Sequence, residues 1–423
     1  MVNKPFDICQ KVTSITLLST RIFIKRTTCH MYSLTNCVLT MKCCCREFGS
    51  TIEKALYKDM SVTDFIDRIL KKRAISFLNV YDKYKLITGE EGKDGWESVG
   101  TLQQKPPLLL ENVLSYDEMK IAAMVYVSGH TEFINDGHRQ NKGIINEDNI
   151  EKNGVIIGIV GARLKRPGCM EQQDMLIYPR QNCPELGYGE HVAPATCLNM
   201  YRQMWSEFYQ VRTDICHTFG NVFRCLTVFY KRNTIPCDCA LLDANFRAKE
   251  KGKMAFLNVI GIGKFFYYFP AKPYPHLGRV RFIAFHTNFI NQREMSFLLR
   301  NTTFLTIWRC VTCLKYLFIY LFISGGIKVQ LENREPSAKL IGDNEGHLLV
   351  TTYPWDGNAH PGNEFWFVVL SGSGDPAAAC SSQIAELHNA HINIGLNSNN
   401  TIVVGQHGVL PIKQYCKKLI NDF

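Results

Sequence analysis

HLLVTTYPWDGNAHPGNEFWFVVLSGSGDPAAACSSQIAELHN, residues 347–389, predicts a strand, a loop, a second strand, a glycine turn and a helix in succession. HLLVTTYPW and FWFVVL are short, apolar and rich in β-branched and aromatic residues, which is typical of buried strands. After the glycine turn, Asp375 suits the N-cap of a helix, and Pro376 suits the first helical position. This order of elements indicates an α/β domain.

Segments that precede this stretch show similar patterns. GVIIGIVGARL, LTVFYKR and MAFLNVIGIG read as further strands, and YRQMWSEFYQ reads as a helix. A helix with one apolar face is predicted after Ser61, over VTDFIDRILKK, and LSYDEMKIAAMVYVS predicts a second helix. The second helix opens near Ser115, with Glu118 at the spacing of a capping box. Strands that alternate with helices predict an α/β or mixed three-layer fold.

The composition is that of a folded protein. Of 423 residues, 46% are hydrophobic and 20% are charged, which is normal for a globular chain. The net charge is +10, and half of this excess lies in the first fifty residues, which hold seven Lys or Arg and two Asp or Glu. The rest of the chain has no run of clustered basic residues, so we predict no specific nucleic-acid binding.

The 17 cysteines are irregularly spaced and do not form a disulfide framework. Neither the consecutive cysteines at 43–45 nor the C-x-C at 237–239 has the paired C-x2-C spacing of a zinc site. Three histidines near the acids also lack a zinc-binding pattern: His360, His388 and His391. We therefore expect reduced thiols in a cytoplasmic protein, with no metal and no cofactor.

Two segments fit the α/β pattern poorly. Residues 1–50 lack a sustained period and have a weak transit-peptide composition, basic and rich in Ser and Thr. TFLTIWRCVTCLKYLFIYLFIS, Thr303–Ser324, is apolar over a length that could cross a bilayer. Arg309 and Lys315 would each cost about 2.5–3.5 kcal/mol near the centre of a membrane helix, which argues against a span. A core or surface helix, a membrane span and a non-native insertion stay open, and we favour the insertion.

These segments define the expected domain limits. We predict an appendage over 1–50, with a transit-like segment and non-native sequence as its two alternatives, and a helical segment over 51–110. The main domain is expected over 111–415, interrupted by the hydrophobic insertion at about 296–326.

The loop YPWDGNAHPGNEFW, Tyr353–Trp366, combines two carboxylates, Asp356 and Glu364, with turn-forming residues and large aromatic rings. A plain surface loop needs the turns but not the rings, whereas a core strand needs the rings but not the acids. The mixture indicates a loop that encloses a ligand which its acids contact. Its candidate ligand-binding residues are Trp355, Gly357, Asn358, Gly362 and Asn363.

Glycine turns at strand ends could hold a phosphate. Gly261 and Gly263 follow a predicted strand, where exposed backbone N–H groups can bind an anion, although a tight turn under aromatic packing explains them equally well. The sequence after Gly263 contains Phe265 and Phe266 and lacks the third glycine of the G-x-G-x-x-G dinucleotide-binding motif. A Rossmann site is therefore not expected. Gly374 precedes a predicted helix and is a second phosphate-binding candidate, with simple helix capping as the alternative.

The polar loop TEFINDGHRQNKG contributes two further candidates, Asn135 and Asp136. Loops this rich in polar side chains on a folded scaffold often bind ligands, and a solvated turn is the alternative. The chain contains neither a G-x-S-x-G elbow nor a P-loop.

Four motifs together resemble the MavL-like family, also called DUF4804. They are FINDGHRQNKG, GVIIGIVGARLKRPGCMEQQDM, LLDANFRAKEKGK with VIGIGKFF, and YPWDGNAHPGNEFW with SGSGDPAAACSSQIAELHN. The resemblance covers roughly 75–300 and 327–415. It implies a macrodomain-like three-layer α/β/α fold with a mixed central sheet, here with an N-terminal helical extension. It also implies binding of ADP-ribose and its removal from an ADP-ribosylated protein.

The acid-rich segment of the family matches Asp356, Glu364 and Asp375, which the resemblance therefore implies as catalytic. Release of ADP-ribose passes through an oxocarbenium-like state at C1″ of the distal ribose. One carboxylate can activate water while another fixes the ribose hydroxyls. Phe265, Trp355 or Trp366 could stack on the adenine or close the ribose pocket. Two alternatives stay open: a non-catalytic ADP-ribose reader, and an interaction protein whose acids only cap turns.

Overall fold

The computed structural model describes the following parts of the chain: 21–25, 49–122, 125–138, 141–160, 176–177, 217–219, 222–224, 239–241, 243–259, 283–287, 327–331, 334–355, 357–363, 374–405 and 408–421. The predicted helix YRQMWSEFYQ and the predicted strands LTVFYKR and FWFVVL lie outside these residues.

The strands in the described residues are β1 Arg21–Lys25, β2 Ser76–Leu78, β3 Lys83–Lys85, β4 Glu91–Gly92, β5 Val125–Glu132, β6 Asn153–Val160, β7 Leu176–Ile177, β8 His217–Phe219, β9 Val222–Arg224, β10 Ala255–Val259, β11 Ile283–Thr287, β12 Ile327–Leu331, β13 Leu348–Trp355, β14 Thr401–Gly405 and β15 Gly408–Pro411. Nine of them form one sheet in the order β12-β11-β10-β13-β6-β5-β1-β14-β15. Two small sheets have the orders β2-β3-β4 and β7-β9-β8.

The helices are α1 Thr51–Tyr57, α2 Val62–Lys71, α3 Tyr116–Ile121, α4 Gly374–Ser381, α5 Ile384–Leu387 and α6 Ile412–Asn421. Residues 239–241 and 243–250 are also helical, and short 3₁₀ turns occur at Trp96–Ser98, Gly342–Asn344 and Ser398–Asn400. The mixture of helices with a large sheet confirms the predicted α/β class.

The large sheet is mixed, with a parallel centre. β13 is parallel to β10 on one side and to β6 on the other. β5 is antiparallel to β6, and β11 is antiparallel to β10. The strands predicted over GVIIGIVGARL, MAFLNVIGIG and HLLVTTYPW are confirmed as β6, β10 and β13. Their burial along the described lengths explains their near-continuous apolar sequences.

The predicted helix after Ser61 is confirmed as α2. The Ser61 side chain accepts a hydrogen bond from the Asp64 amide, and the Asp64 carboxylate accepts one from the Ser61 amide. This capping box satisfies two N–H groups that the first helical turn would otherwise leave unpaired. The apolar face of α2 is buried and includes Phe65, Ile66 and Leu70.

The second predicted helix is only partly correct. The capping box at Ser115 is confirmed, because the Ser115 amide donates to Glu118 Oε2 at 2.9 Å and the Glu118 amide lies 3.3 Å from Ser115 Oγ. However, α3 ends at Ile121, and MVYVS is not helical where described, since β5 begins at Val125. Successive residues at the start of β5 are buried within the sheet. This burial on both faces favours a strand over the helix that the local sequence pattern predicted.

Helices cover both faces of the sheet. One apolar cluster joins the 239–250 helix to alternate residues of the central strands: Val155, Ile157, Ala255, Leu257, Leu348 and Val350. A second cluster joins α4 and α5 to residues of the opposite parity: Ile156, Phe256, Leu349, Tyr353 and Trp355. Because successive strand residues point to opposite faces, the two clusters lie on opposite sides of the sheet.

The helical residues 243–250 contain a buried ion pair. Arg247 Nε lies 3.0 Å from both carboxylate oxygens of Asp243, one turn away, and both side chains are 0% exposed. Ser128 of β5 completes the network, since Arg247 Nη2 donates to Ser128 Oγ at 2.8 Å and Ser128 Oγ donates to the Asp243 carboxylate. Asp243 and Arg247 of LLDANFRAKEKGK are therefore buried and do not lie on a solvent-exposed face.

The hydrophobic stretch Thr303–Ser324 lies outside the described residues. Within the residues that are described, no helix is long and apolar enough to cross a membrane. β1, from the predicted appendage, lies in the large sheet between β5 and β14. The domain limits themselves stay a prediction.

Candidate active site

The carboxyl ends of three adjacent parallel strands define the candidate active site. Trp355, the last residue of β13, pairs with Val160, the last residue of β6, and Asn258 of β10 pairs with Thr351 of β13. Parallel strands end at the same edge of a sheet, and α/β proteins bind their ligands outside that edge. The chain therefore leaves β10, β13 and β6 toward one side of the molecule.

The predicted catalytic loop and the first glycine turn both follow strands that end at this edge. Asp356 comes directly after Trp355, and Gly261, Gly263 and Phe265 come shortly after Val259. Asp356, Glu364 and the residues 260–282 lie outside the described residues, so the positions of these side chains stay a prediction.

Trp355 is held on three sides. It is 1% exposed, and its indole Nε1 donates to the Ala359 carbonyl oxygen at 3.1 Å. The Arg73 guanidinium carbon lies 4.7 Å from the centroid of the ring, in a cation–π arrangement. Gly158 of β6 lies so close that a Cβ there would be 2.9 Å from Trp355 Cε3. Trp355 is thus a fixed support at the base of the loop.

The described part of the loop, 357–363, is buried and tightly turned. Asn358 is 0% exposed and Asn363 is 5% exposed, and the Asn363 amide nitrogen donates to the Ile75 carbonyl. Gly362 has a φ of +69°, and a Cβ there would lie 2.8 Å from Ala385 Cα in α5. Only glycine fits this left-handed position so close to a helix backbone. The turn-forming role predicted for Gly362 is consistent with this geometry.

The segment that follows α2 runs alongside this loop. Ala74 and Ala359 form a parallel bridge, and the His360 amide donates to the Ala74 carbonyl at 3.1 Å. His391 Nε2 lies 2.9 Å from the Lys71 carbonyl oxygen, which can only accept, so this nitrogen carries a proton. The His360 and His391 rings meet edge to face with centroids 5.2 Å apart.

Two buried histidines are kept neutral near this loop. Burial, together with the charges of Arg73 and His391, lowers the pKa of His360 to about 3, although a hydrogen bond with the Arg73 backbone acts in the opposite direction. Burial and the charge of Arg247 lower the pKa of His388 to about 3. His388 Nδ1 lies 2.6 Å from Tyr353 Oη, so the imidazole is joined to β13. Neither ring adds positive charge to the site near neutral pH.

Asn135 and Asp136 follow β5, which ends at the other edge of the sheet. Glu132, the last residue of β5, pairs with Asn153, the first residue of β6, because the two strands are antiparallel. The end of β5 and the end of β13 are therefore separated by the length of β6, about 23 Å at 3.3 Å per residue. The structure does not bring these two candidates to the edge where β13 ends.

The Asn135 side chain is buried and makes hydrogen bonds to neighbouring backbone groups. It is 2% exposed, and its amide nitrogen donates to the Ile144 carbonyl at 3.0 Å and to the Cys380 carbonyl at 2.7 Å. Its oxygen accepts from the Gly137 amide at 3.0 Å. Asp136 is exposed and accepts from the His138 amide at 2.9 Å, in an Asx turn. The solvated-turn alternative describes Asp136 well, and ligand binding by either residue stays a prediction.

The second glycine turn leads into α4, which begins at Gly374, one residue before the predicted N-cap. Asp375 therefore lies in the first turn of α4, and the position of its side chain is outside the described structure. The carboxyl end of α4 contacts the 134–135 segment, because Ser381 accepts from the Ile134 amide at 3.0 Å.

Within the described residues, no group of three or more His, Cys, Asp or Glu side chains is arranged to hold a metal ion. Cys239 and Cys380 are buried and are not joined in a disulfide.

A family model for MavL-like ADP-ribosylhydrolases matches residues 28–418. This chain belongs to the MavL-like family. Two Drosophila melanogaster proteins are similar over most of their length. ADP-ribosylarginine hydrolase CG3568 is 39% identical over 407 residues, covering 88% of this chain and 77% of the relative. ADP-ribosylarginine hydrolase CG2909 is 38% identical over 402 residues, covering 89% and 78%. The resemblance read from the sequence motifs is confirmed.

Sequence reasoning missed two residues of this MavL-like site. Arg73 is the last residue of the sequence KKR, which begins at the last residue of α2. A basic residue at the end of a helix is expected to interact with the helix dipole. Tyr353 reads as one more buried strand residue, although its hydroxyl meets His388. Periodicity carries no signal for either contact, because each partner lies far away in sequence.

Proposed function

We propose that this MavL-like chain is a hydrolase that releases ADP-ribose from ADP-ribosylated arginine in proteins. The observation that carries the proposal is family membership over 28–418, together with two relatives that are both named ADP-ribosylarginine hydrolase. The sequence motifs alone gave no preference among arginine, glutamate and serine linkages. The names of the relatives favour arginine.

The reaction would break the bond between C1″ of the distal ribose and a guanidinium nitrogen of arginine. A water oxygen bonds to C1″, its proton passes to a carboxylate, and the departing guanidine takes up a proton. Asp356 and Glu364 would supply the carboxylate that activates water and the one that orients the ribose hydroxyls. Asp375, in the first turn of α4, would be the third acid of the site.

The ligand would lie across the ends of β10 and β13. Backbone N–H groups at Gly261, Gly263 and Gly374 would hold the diphosphate. Trp355 is covered by Arg73 and is 1% exposed, so we assign it to supporting the loop, and we assign stacking on the adenine to Phe265 or Trp366.

We further propose that the fold is macrodomain-like, a three-layer α/β/α arrangement over 111–415 with the helical segment 51–110 as an extension. The support is the mixed sheet with helices on both faces. We also propose a cytoplasmic location, where intracellular ADP-ribosylated proteins would be substrates.

The first test compares three substrates: peptides that carry ADP-ribose on arginine, on glutamate or on serine. We expect release of free ADP-ribose, measured by mass spectrometry, from the arginine-linked peptide. Asp356→Ala should abolish turnover while calorimetry still detects ADP-ribose binding. Asp343→Ala removes an exposed carboxylate from the turn before β13 and is the matched control.

Three results would count against the proposal. Turnover by Asp356→Ala equal to that of the unmodified chain would remove Asp356 from the catalytic set. ADP-ribose binding without release from any of the three peptides would favour a reader. Absence of both binding and release would favour an interaction protein.

A further inference from the structure

The segment between α2 and β2 is built into the candidate active site from outside the main domain. Ala74 forms a parallel bridge with Ala359, and the Ala74 carbonyl accepts the His360 amide at 3.1 Å. The Ile75 carbonyl accepts from the Asn363 side chain. A backbone hydrogen bond to His360 and a side-chain hydrogen bond from Asn363 therefore hold the segment against both the middle and the end of the 357–363 loop.

The Arg73 side chain contacts Trp355, the residue that precedes Asp356 in the chain. Its guanidinium lies over the ring of Trp355, 4.7 Å from the centroid, and the residue is only 3% exposed. Trp355 immediately precedes Asp356 in the chain, and the bridged residue Ala359 follows it by three positions. Residues 73–75 thus contact the chain on both sides of Asp356.

An apolar side chain would fill this space without the desolvation cost of a buried guanidinium. The buried guanidinium places a positive charge beside Trp355. Its effect is already visible at His360, where the Arg73 charge is one of the causes that lower the pKa of the imidazole.

We propose that Arg73 is a positioning residue that fixes the Asp356-bearing loop through Trp355, and that the segment 71–75 is part of the working site. This inference rests on the proposed hydrolase function for its kinetic consequence. Its structural consequence, a loop held in place by Arg73, does not depend on that function. Because catalysis loses rate steeply when reacting groups move by about 1 Å, a loosened loop should lower kcat more than it weakens binding.

The experiment compares Arg73→Met and Arg73→Lys with Arg68→Lys. Arg68 is a second buried arginine on α2, but it bonds to Glu118 and to the Leu110 and Val113 carbonyls, and so serves as a control for general destabilisation. All variants are assayed at a temperature where circular dichroism shows them folded. The measurements are kcat and KM on the arginine-linked peptide, the ADP-ribose Kd, and hydrogen exchange of peptides that cover 357–363.

We expect Arg73→Met to lower kcat at least about 10-fold while the Kd for ADP-ribose changes less, and Arg73→Lys to recover part of the loss. Amide exchange over 357–363 should be faster in Arg73→Met and unchanged in Arg68→Lys. Arg68→Lys should lower Tm and leave kcat within about 2-fold.

The inference fails if exchange over 357–363 is the same in Arg73→Met as in the unmodified chain. It also fails if Arg68→Lys loses as much kcat as Arg73→Met, because the effect would then be general destabilisation. If the unmodified chain releases no ADP-ribose, the proposed function fails, whereas the exchange comparison still decides the role of Arg73.

Discussion

Gly158 shows how a single missing side chain shapes the site. It pairs with Tyr353 in the sheet, and a Cβ at this position would lie 2.9 Å from both Trp355 Cε3 and Tyr353 Oη. Both rings can approach β6 this closely only because Gly158 has no side chain. In sequence, Gly158 is simply a glycine within the apolar run GVIIGIVG.

Gly158→Ala should therefore lower both stability and turnover. Gly154→Ala is the matched control at the other end of β6, where a Cβ would lie 2.7 Å from Phe133 Cε2 and 2.8 Å from the Leu349 oxygen. We expect each variant to lose about 1–3 kcal/mol of unfolding free energy through overpacking, measured by urea denaturation. Only Gly158→Ala should reduce kcat as well. Equal loss of kcat in the two variants would contradict the support role of Trp355.

His388 predicts a pH dependence of stability. Its pKa is about 3 in the folded protein, against 6.5 for an ordinary histidine, because burial and the Arg247 charge oppose protonation. As the pH falls from about 6.5 toward 3, the unfolded chain takes up a proton that the folded protein does not. The stability contribution is complete above pH 6.5 and is lost on acidification, by about 1.4 kcal/mol per pH unit.

Urea denaturation between pH 7 and pH 5 measures this slope. His388→Gln should show a shallower decline than the unmodified chain, because glutamine does not titrate. Tyr353→Phe removes the 2.6 Å contact but retains the histidine. This variant should be less stable, and its unfolding free energy should still fall as steeply with decreasing pH as that of the unmodified chain. Identical slopes for His388→Gln and the unmodified chain would show that His388 is protonated in the folded state.

At the scale of elements, the Asn135 side chain helps to link the 133–146 loop to α4. Asn135 donates to carbonyls of both Ile144 and Cys380 and accepts from the Gly137 amide. Asn135→Ala leaves these groups without their partner. We expect a loss of about 2–3 kcal/mol in unfolding free energy, since buried unpaired polar groups are costly.

The neighbouring exposed residue supplies the control for this prediction. Asp136→Ala loses one hydrogen bond to the His138 amide and should change stability by no more than about 0.5 kcal/mol. Denaturation curves of the two variants test the difference. Titration of Asp136→Ala with ADP-ribose separately tests the predicted ligand role, because a weaker Kd without loss of stability would support ligand binding by Asp136.

Elements with a strong local signal are the ones that sequence reasoning predicted well. α2 has both a capping box and an apolar face, and β6, β10 and β13 are short apolar runs. The start of β5 was predicted as helix, because MVYVS continues an apolar pattern without a break. Its pairing with β6 and β1 decides for a strand, and those partners are distant in the chain.

At the scale of the whole molecule, residues 51–110 and the rest of the described chain share one core. The same apolar cluster contains Phe65 of α2, Trp96, Trp355 of β13 and Tyr415 of α6. Arg68 of α2 also bonds to Glu118 of α3 at 2.5 Å through buried side chains. The extension therefore packs as part of the folded unit in the described structure.

We accordingly expect this core to unfold in one transition. Far-UV circular dichroism and tryptophan fluorescence should give coincident urea curves, because Trp96 in the extension and Trp355 in the sheet are buried in the same cluster. Two separated transitions would instead mean that the extension unfolds on its own. The variant Trp96→Phe then identifies which transition belongs to the extension.

The sequence by itself determined the α/β class, the strands β6, β10 and β13, and the MavL-like family. These follow from local periodicity, turn chemistry and long motifs, all of which are readable along the chain. Only the tertiary structure decided that Arg73 lies on Trp355 and that Asp243 and Arg247 are buried together. It also decided that Asn135 and Asp136 follow a strand that ends at the edge of the sheet opposite to the end of β13. Those facts depend on strand direction and on contacts between distant segments, which local sequence patterns do not encode.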